Sequence, residues 1–322
     1  MSSIYSVAGR TAATSGATND VACALWNPHG SLPLAVRQIF ITATTAGAPG
    51  INVRRITARG TASTTVTPNL DNSYDRRDAP ATGALLDLAY SVQPTIVDSG
   101  VSTSCMASDM VGEIGTGIMF PFPFPITVPA GTGLALISTG TTVIPVSDVY
   151  FEFEDPASYD GPVYYCGGQT NATSATAPIA HLWNPSSTRS LMVFLIGMTR
   201  RSTGTATDTM KVERTSTRGT GAATHTPNSN QHVTRRSAPA SGAVIDIANF
   251  SVSPTQQVGQ LFQQIQQLRG QSGFLWTVPT EGVDGFIDIS KCIEVPPSTG
   301  ILIEFTASIT SEGREFNFGW ID

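Results

Sequence analysis

Hydrophobic positions recur with period two along most of the chain. Phe120, Phe122, Phe124, Ile126 and Val128 alternate with other residues and stop at Pro129. Ile287, Ile289, Lys291, Ile293 and Val295 keep the same register and stop at Pro296. Leu34 to Ile41 and Met192 to Ile196 are short apolar runs, each followed by a Thr/Gly-rich turn. GLALIS and GILIEF read as buried strands, and VYFEFED and EFNFGWID as closing ones. Alternation of this kind gives a sheet one buried and one outward face. Strands with turn signals every ~8–12 residues, and little helix, predict an all-β sandwich.

The pattern is written twice. Leu25-Trp26-Asn27-Pro28 returns as Leu182-Trp183-Asn184-Pro185, 157 residues later. Arg59-Gly60-Thr61 returns as Arg218-Gly219-Thr220, and Arg76-Arg77 as Arg235-Arg236. RRDAPATGALLDLAYSV is echoed by RRSAPASGAVIDIANFSV. Order and spacing hold over most of each half, which predicts a tandem duplication. The predicted linker lies near Asp155–Pro162, where EDPASYDGP carries turn residues. The expected domains are 1–157 and 158–322, each of a size that suits an eight-stranded jelly roll.

The copies differ after Pro94 and Pro254. The second has TQQVGQLFQQIQQLRGQSG, in which Val258, Leu261, Phe262, Ile265 and Leu268 fall at helical spacing. A short amphipathic helix and a Gln-rich loop are both open there. The first has Phe120-Pro121-Phe122-Pro123-Phe124-Pro125. Three prolines remove three backbone donors, so this must be an edge strand or an extended stretch. Its phenylalanines either pack on their own domain or dock a neighbouring subunit. Phe120, Phe122, Phe124, Leu261, Phe262 and Ile265 are therefore the candidate subunit contacts.

Charged residues are only 13% of the chain, and the net charge is −6. Residues 1–159 hold 7 basic and 12 acidic residues, and the rest 11 and 12. Neither half has the basic excess a phosphate backbone would need, which argues against a nucleic-acid partner. Only Lys211 and Lys291 are lysines. Arginine suits buried and interfacial ion pairs, so the chain reads as one that packs against others. The N-terminal MSSIYSVAGRTAATSG has neither an apolar core nor a basic start, so no signal peptide is expected. No apolar run approaches the ~18 residues of a membrane helix. Cys23, Cys105, Cys166 and Cys292 share no short spacing and read as reduced thiols.

Chemistry is thinly represented. His29, His181, His225 and His232 occupy no matched positions and read as solvated residues without partners. No nucleophile elbow is present. His225 and His232 lack the third close ligand of a zinc site. Asp71 to Asp75 lacks the glycine and closing glutamate of a calcium loop. Neither cofactor nor metal is expected. Asp87 and Asp246 are matched acids inside apolar strands, LLDLA and VIDIA. A buried carboxylate is costly unless paired, so each should pair with an arginine or cap a loop. The nearby double arginines, Arg76-Arg77 and Arg235-Arg236, share this scaffold role. Trp26 and Trp183 should anchor turns, with a sugar-stacking platform as the alternative.

The segment ALWNP or HLWNP, followed by small residues and a hydrophobic strand, resembles virion proteins of tailed bacteriophages. In that group such β-sandwich domains decorate heads or build fibre, tail or neck parts. The resemblance implies a non-enzymatic virion structural protein assembled in the host cytoplasm. Its partners would be a major capsid or other virion protein and further copies of itself, as trimers or larger rings. A capsid decoration or cement protein is the leading expectation. A glycan- or receptor-binding fibre domain comes second, and a polysaccharide-degrading enzyme third.

Overall fold

The computed structural model describes residues 3–17, 19–47, 49–68, 79–97, 103–109, 114–139, 143–157, 163–172, 178–200, 208–227, 239–267, 273–277, 280–281, 286–287, 289–305 and 312–322. The chain forms two compact units that divide between Gly161 and Pro162.

The first unit contains β1 (Ser3–Arg10), β2 (Val21–Asn27), β3 (Leu34–Ala43), β4 (Gly50–Ala58), β5 (Thr61–Val66) and β6 (Leu85–Val92). Short strands β7 (Thr95–Ile96), β8 (Thr103–Ser104) and β9 (Met106–Asp109) follow. β10 (Gly117–Val128), β11 (Thr132–Thr139) and β12 (Ser147–Asp155) complete it. One sheet runs β1-β12-β3-β10, and the other β5-β6-β2-β11-β4-β7, with β9 also on β4. Counting β1, β2, β3, β4, β9, β10, β11 and β12 as one to eight, the sheets read 1-8-3-6 and 2-7-4-5. This interleaving of two antiparallel sheets is the jelly roll. The β5–β6 hairpin is an addition that widens the second sheet beside β2.

The second unit repeats this order. Its strands are β13 (Val163–Ala172), β14 (Pro178–Asn184), β15 (Leu191–Arg200), β16 (Asp208–Thr215), β17 (Ala223–His225), β18 (Val244–Ile247) and β19 (Gln256–Gln267). β20 (Gly273–Thr277), β21 (Thr280–Glu281), β22 (Phe286–Ile287), β23 (Ile293–Val295), β24 (Thr299–Phe305) and β25 (Glu312–Ile321) follow. One sheet holds β13-β25-β15, with β20 and β23 both on β15; the other runs β17-β18-β14-β24-β16-β19. The added hairpin recurs as β17–β18. The protein is all-β, with two tandem jelly-roll sandwiches. Among the described residues the one helical element is a 3-10 turn at Ile289–Lys291.

Strand alternation builds both interiors. In β10 the burial alternates without a break from Ile118 to Val128, so Phe120, Phe122 and Phe124 point inward. Each such ring stabilises by about 1.5–3 kcal/mol relative to exposure. The intervening prolines are tolerated because β10 is an edge strand paired only with β3. Tyr5 stacks on its cross-strand partner Phe153 at 5.7 Å, and Tyr164 on Trp320 at 5.5 Å. The two aromatic pairs occupy the same register.

Two sequence expectations change. The Gln-rich segment is neither helix nor loop: residues 256–267 form β19, which pairs with β16. The edge of β16 needs backbone partners that a helix could not supply. Leu261 and Ile265 fall on that ladder, opposite Glu213 and Met210; the side chains of Leu261, Phe262 and Ile265 lie outside the described residues. The strand expected from Ile287 to Val295 is interrupted by the 3-10 turn, and only β23 joins β15 there.

Candidate functional site

The matched residues converge on four clamps, each built twice. The asparagine of LWNP sits at a sandwich corner. Asn27 donates through Nδ2 to the carbonyls of Leu32 (2.9 Å) and Val128 (3.1 Å), and accepts from His29 N–H (3.1 Å). Asn184 donates to Arg189 O (2.8 Å) and Val295 O (3.0 Å), and accepts from Ser186 N–H (3.1 Å). The amide thus ties the turn after the second strand to the end of the sixth. An amide side chain offers two donors and an acceptor, which this corner consumes.

The second clamp holds the matched acids. Arg59 donates through Nε and Nη2 to Asp87, both at 2.7 Å, and Thr65 Oγ1 donates to the same carboxylate at 2.7 Å. Arg218 does the same for Asp246, both bonds at 2.8 Å, with Thr224 at 2.5 Å. Both carboxylates are fully buried. The pairing expected for them holds, but the arginines are Arg59 and Arg218 of the Arg-Gly-Thr repeat. Arg76, Arg77, Arg235 and Arg236 lie outside the described residues, as does Asp71 to Asp75. Each acid thus accepts three charge-assisted or hydroxyl bonds inside its own unit.

The third clamp joins an aspartate at the end of each closing strand, Asp155 within β12 and Asp322 just after β25, to the APATG or APASG turn. Asp155 accepts from Thr82 N–H at 3.1 Å and from its hydroxyl, and Asp322 accepts from Ser241 N–H at 3.1 Å. Burial outweighs these bonds and holds the Asp155 carboxyl above its usual range. The fourth clamp crosses the sandwich. Arg55 Nη1 donates to Thr127 O at 2.7 Å, and Arg214 Nη2 to Glu294 O at 2.7 Å. Sequence reasoning missed the first, third and fourth clamps, having assigned a role to the tryptophan of LWNP and none to its asparagine. The aligned Asp155/Asp322 and Arg55/Arg214 were the available signal.

Trp26 and Trp183 are half-buried, on the outward side of their strands. Trp26 packs with Tyr90 and Ile96 around Ala24, Ile56, Ala135 and Ile137. It covers Ala24 and Ala135 together with the larger Ile56 and Ile137.

The histidines divide. His29 Nδ1 accepts from Ser31 and Leu32 N–H at 3.0 and 2.8 Å, closing its own turn. His225 is half-buried in β17, and His232 lies outside the described residues. His181 contradicts the expectation of a solvated side chain: it is 0% exposed. Its Nε2 is 2.8 Å from Thr215 Oγ1, and its ring lies 5.7 Å from that of Trp183. Among the described residues no three metal-ligating side chains come together. Burial pushes the Cys23 and Cys105 thiols up, away from the thiolate a nucleophile requires.

One outward face differs in character from the clamps. On the first unit's β1-β12-β3-β10 sheet, Ala8, Tyr150, Phe40 and Met119 lie in one cross-strand row. Phe40 is 38% and Met119 52% exposed. The next row carries the Arg10–Asp148 ion pair at 2.7 Å.

These features define a double jelly roll whose matched buried acids are held by internal hydrogen bonds. No protein-family model and no curated protein sequence matches the chain. Among solved structures it is similar to the major capsid protein P2 of bacteriophage PM2 at 8% identity and a TM-score of 0.33, covering 100% of this chain and 97% of that one. It is also similar to a chain of Broad Bean Stain Virus at 8% identity and a TM-score of 0.32, covering 99% and 88%. Likeness this remote transfers no role, and the jelly-roll assignment rests on strand order alone.

Proposed function

We propose that the chain is a structural component of a bacteriophage virion, acting as a decoration or cement protein on the capsid. The carrying observation is that the matched buried acids, Asp87 and Asp246, are saturated by an arginine fork and a threonine. The repeated polar residues hold the fold and perform no chemistry. What remains for a partner is surface, and the Ala8–Tyr150–Phe40–Met119 row is an apolar part of it, with Phe40 38% and Met119 52% exposed. Packing against capsid subunits and further copies would stabilise the particle non-covalently. Such a contact should bury more than ~1,000 Å². The test is particle stability: capsids without the chain should lose contents at lower temperature, and adding purified chain should restore them. Unchanged melting in both directions would remove the reading.

Trp26, partly exposed beside Tyr90 over Ala24, favours one second reading, a shallow aromatic platform for a glycan on a phage fibre or tail part. Glycan-array binding that is lost in Trp26→Ala would support it over the first, and silence across the array would dismiss it.

A further inference from the structure

The two units solve one position differently. In the first, Ala24 lies between Asp87 and Ala135, and Gly133 lies between Trp26 and Ile56. In the second, His181 lies between Asp246 and Leu302, and Gly300 between Trp183 and Thr215. The apolar pair Ala24 and Ile56 is thus replaced by a hydrogen-bonded pair, His181 and Thr215, that reaches across the bare backbone of Gly300. A methyl group on Gly300 would overlap both side chains.

The imidazole is fully buried, and its Nδ1 has no hydrogen-bond partner among the described residues. Whichever tautomer is present, one ring nitrogen is bonded to Thr215 and the other is left unsatisfied. A second proton would place a cation there with no acceptor ready for it. The nearest carboxylate, Asp246, already accepts three bonds from Arg218 and Thr224. On β16, Lys211 engages Glu213 at 3.3 Å and Glu304 of β24 at 3.7 Å. Arg214 of β16 bonds Glu294 O, and β17 brings only His225. β25, with Glu312, Arg314 and Glu315, and Asp322 just after it, belongs to the opposite sheet. Among the described residues, Asp246, Glu213 and Glu304 on the same sheet are each engaged by an arginine or lysine, and one oxygen of Glu213, across Leu302 from His181, keeps no hydrogen-bond partner.

We propose that His181 is an acid-operated latch of the second jelly roll: its protonation leaves a buried cation whose Nδ1–H has no acceptor, and this loosens β14, β24 and β16, while the first jelly roll, with Ala24 and Ile56 in the same place, stays closed. Acidification would then release one half of the molecule selectively. The thermodynamic direction agrees. Burial pushes His181 down from 6.5 to about 4, Asp246 opposing and Arg218 reinforcing the shift. Between those values the unfolded chain binds a proton that the folded one refuses, so stability falls as pH falls through that window. A displacement of that size corresponds to roughly a 300-fold loss in the folding constant. Glu304, held above its usual range by burial and by Glu213, acts in the opposite sense. The comparison must therefore be made between variants.

The experiment is urea unfolding of the full chain from pH 7 to pH 4, followed by tryptophan emission. Trp183, Trp276 and Trp320 report on the second unit and Trp26 on the first. The wild-type second-unit transition should weaken on the order of 100-fold more than that of His181→Ala/Thr215→Ile, which installs the first unit's pair. Equal pH slopes in the two proteins would overturn the latch. Should the double variant not fold, NMR of wild-type protein with ¹³C-labelled histidine decides. One ring that stays neutral below pH 5 in the folded protein supports the proposal, and four rings titrating near 6.5 without loss of structure reject it.

Discussion

The sixth strand of the jelly roll is one unbroken element in the first unit and two pieces in the second. β10 runs for 12 residues, its pairing with β3 shifting register between Pro121 and Ile126, whereas β20 and β23 meet β15 separately. The corner behind that strand is the same in both units, because Asn27 and Asn184 bind the carbonyls of Val128 and Val295 at its end. The fold therefore tolerates an insertion midway along an edge strand while keeping the residue that fixes where the strand stops. Repeated residues mark what the sandwich needs, and unrepeated ones mark where the two units differ.

That division can be broken experimentally, beginning with the clamps. Arg59→Ala and Arg218→Ala each leave a fully buried carboxylate without its fork. Each should cost about 3 kcal/mol of its own unit's stability, as for other broken buried pairs. Chemical denaturation resolved by unit should show matching losses; a loss in one unit only would mean that the clamp is not a shared requirement. Asn27→Ala and Asn184→Ala should cost about 2 kcal/mol each, since two buried carbonyls lose their donor.

The third clamp should separate the units. Asp155 is buried and Asp322 half-buried. Asp155→Ala is expected to cost about 1.5 kcal/mol and Asp322→Ala less than about 1 kcal/mol. Because the folded Asp155 carboxyl is held above 3.8, it keeps its proton longer than the unfolded chain does. Stability of the first unit should thus decline as pH rises through the window above 3.8, and Asp155→Asn should flatten that slope. The smallest stability effect is expected at the exposed row. Phe40→Ser with Met119→Ser should change unfolding by no more than about 0.5 kcal/mol. The same pair should abolish binding to capsids measured by co-sedimentation.

Much of this architecture was legible in the sequence. Period-two patterning, proline stops and the LWNP repeat carry the strands, the two-unit order and the edge position of Phe120 to Pro125. The buried state of Asp87 and Asp246 followed from charge placed inside apolar strands. Their partners did not, because Arg59 and Arg218 are 28 residues away along the chain and only the hairpin brings them close. β19 was misread because Val258, Leu261 and Ile265 satisfy a helical spacing, while the need of β16 for a ladder partner is a tertiary demand. His181 was misjudged as solvated for a related reason. Its strand neighbours Ala180 and Leu182 announce burial, but the hydroxyl that accommodates it lies across the sheet at Thr215.

Cryo-electron microscopy of capsids with and without added chain tests the central claim most directly. The account predicts extra density for paired jelly rolls on the capsid surface, with the Phe40–Met119 face buried in a contact exceeding ~1,000 Å². Capsids that show no added density at saturating chain would contradict it.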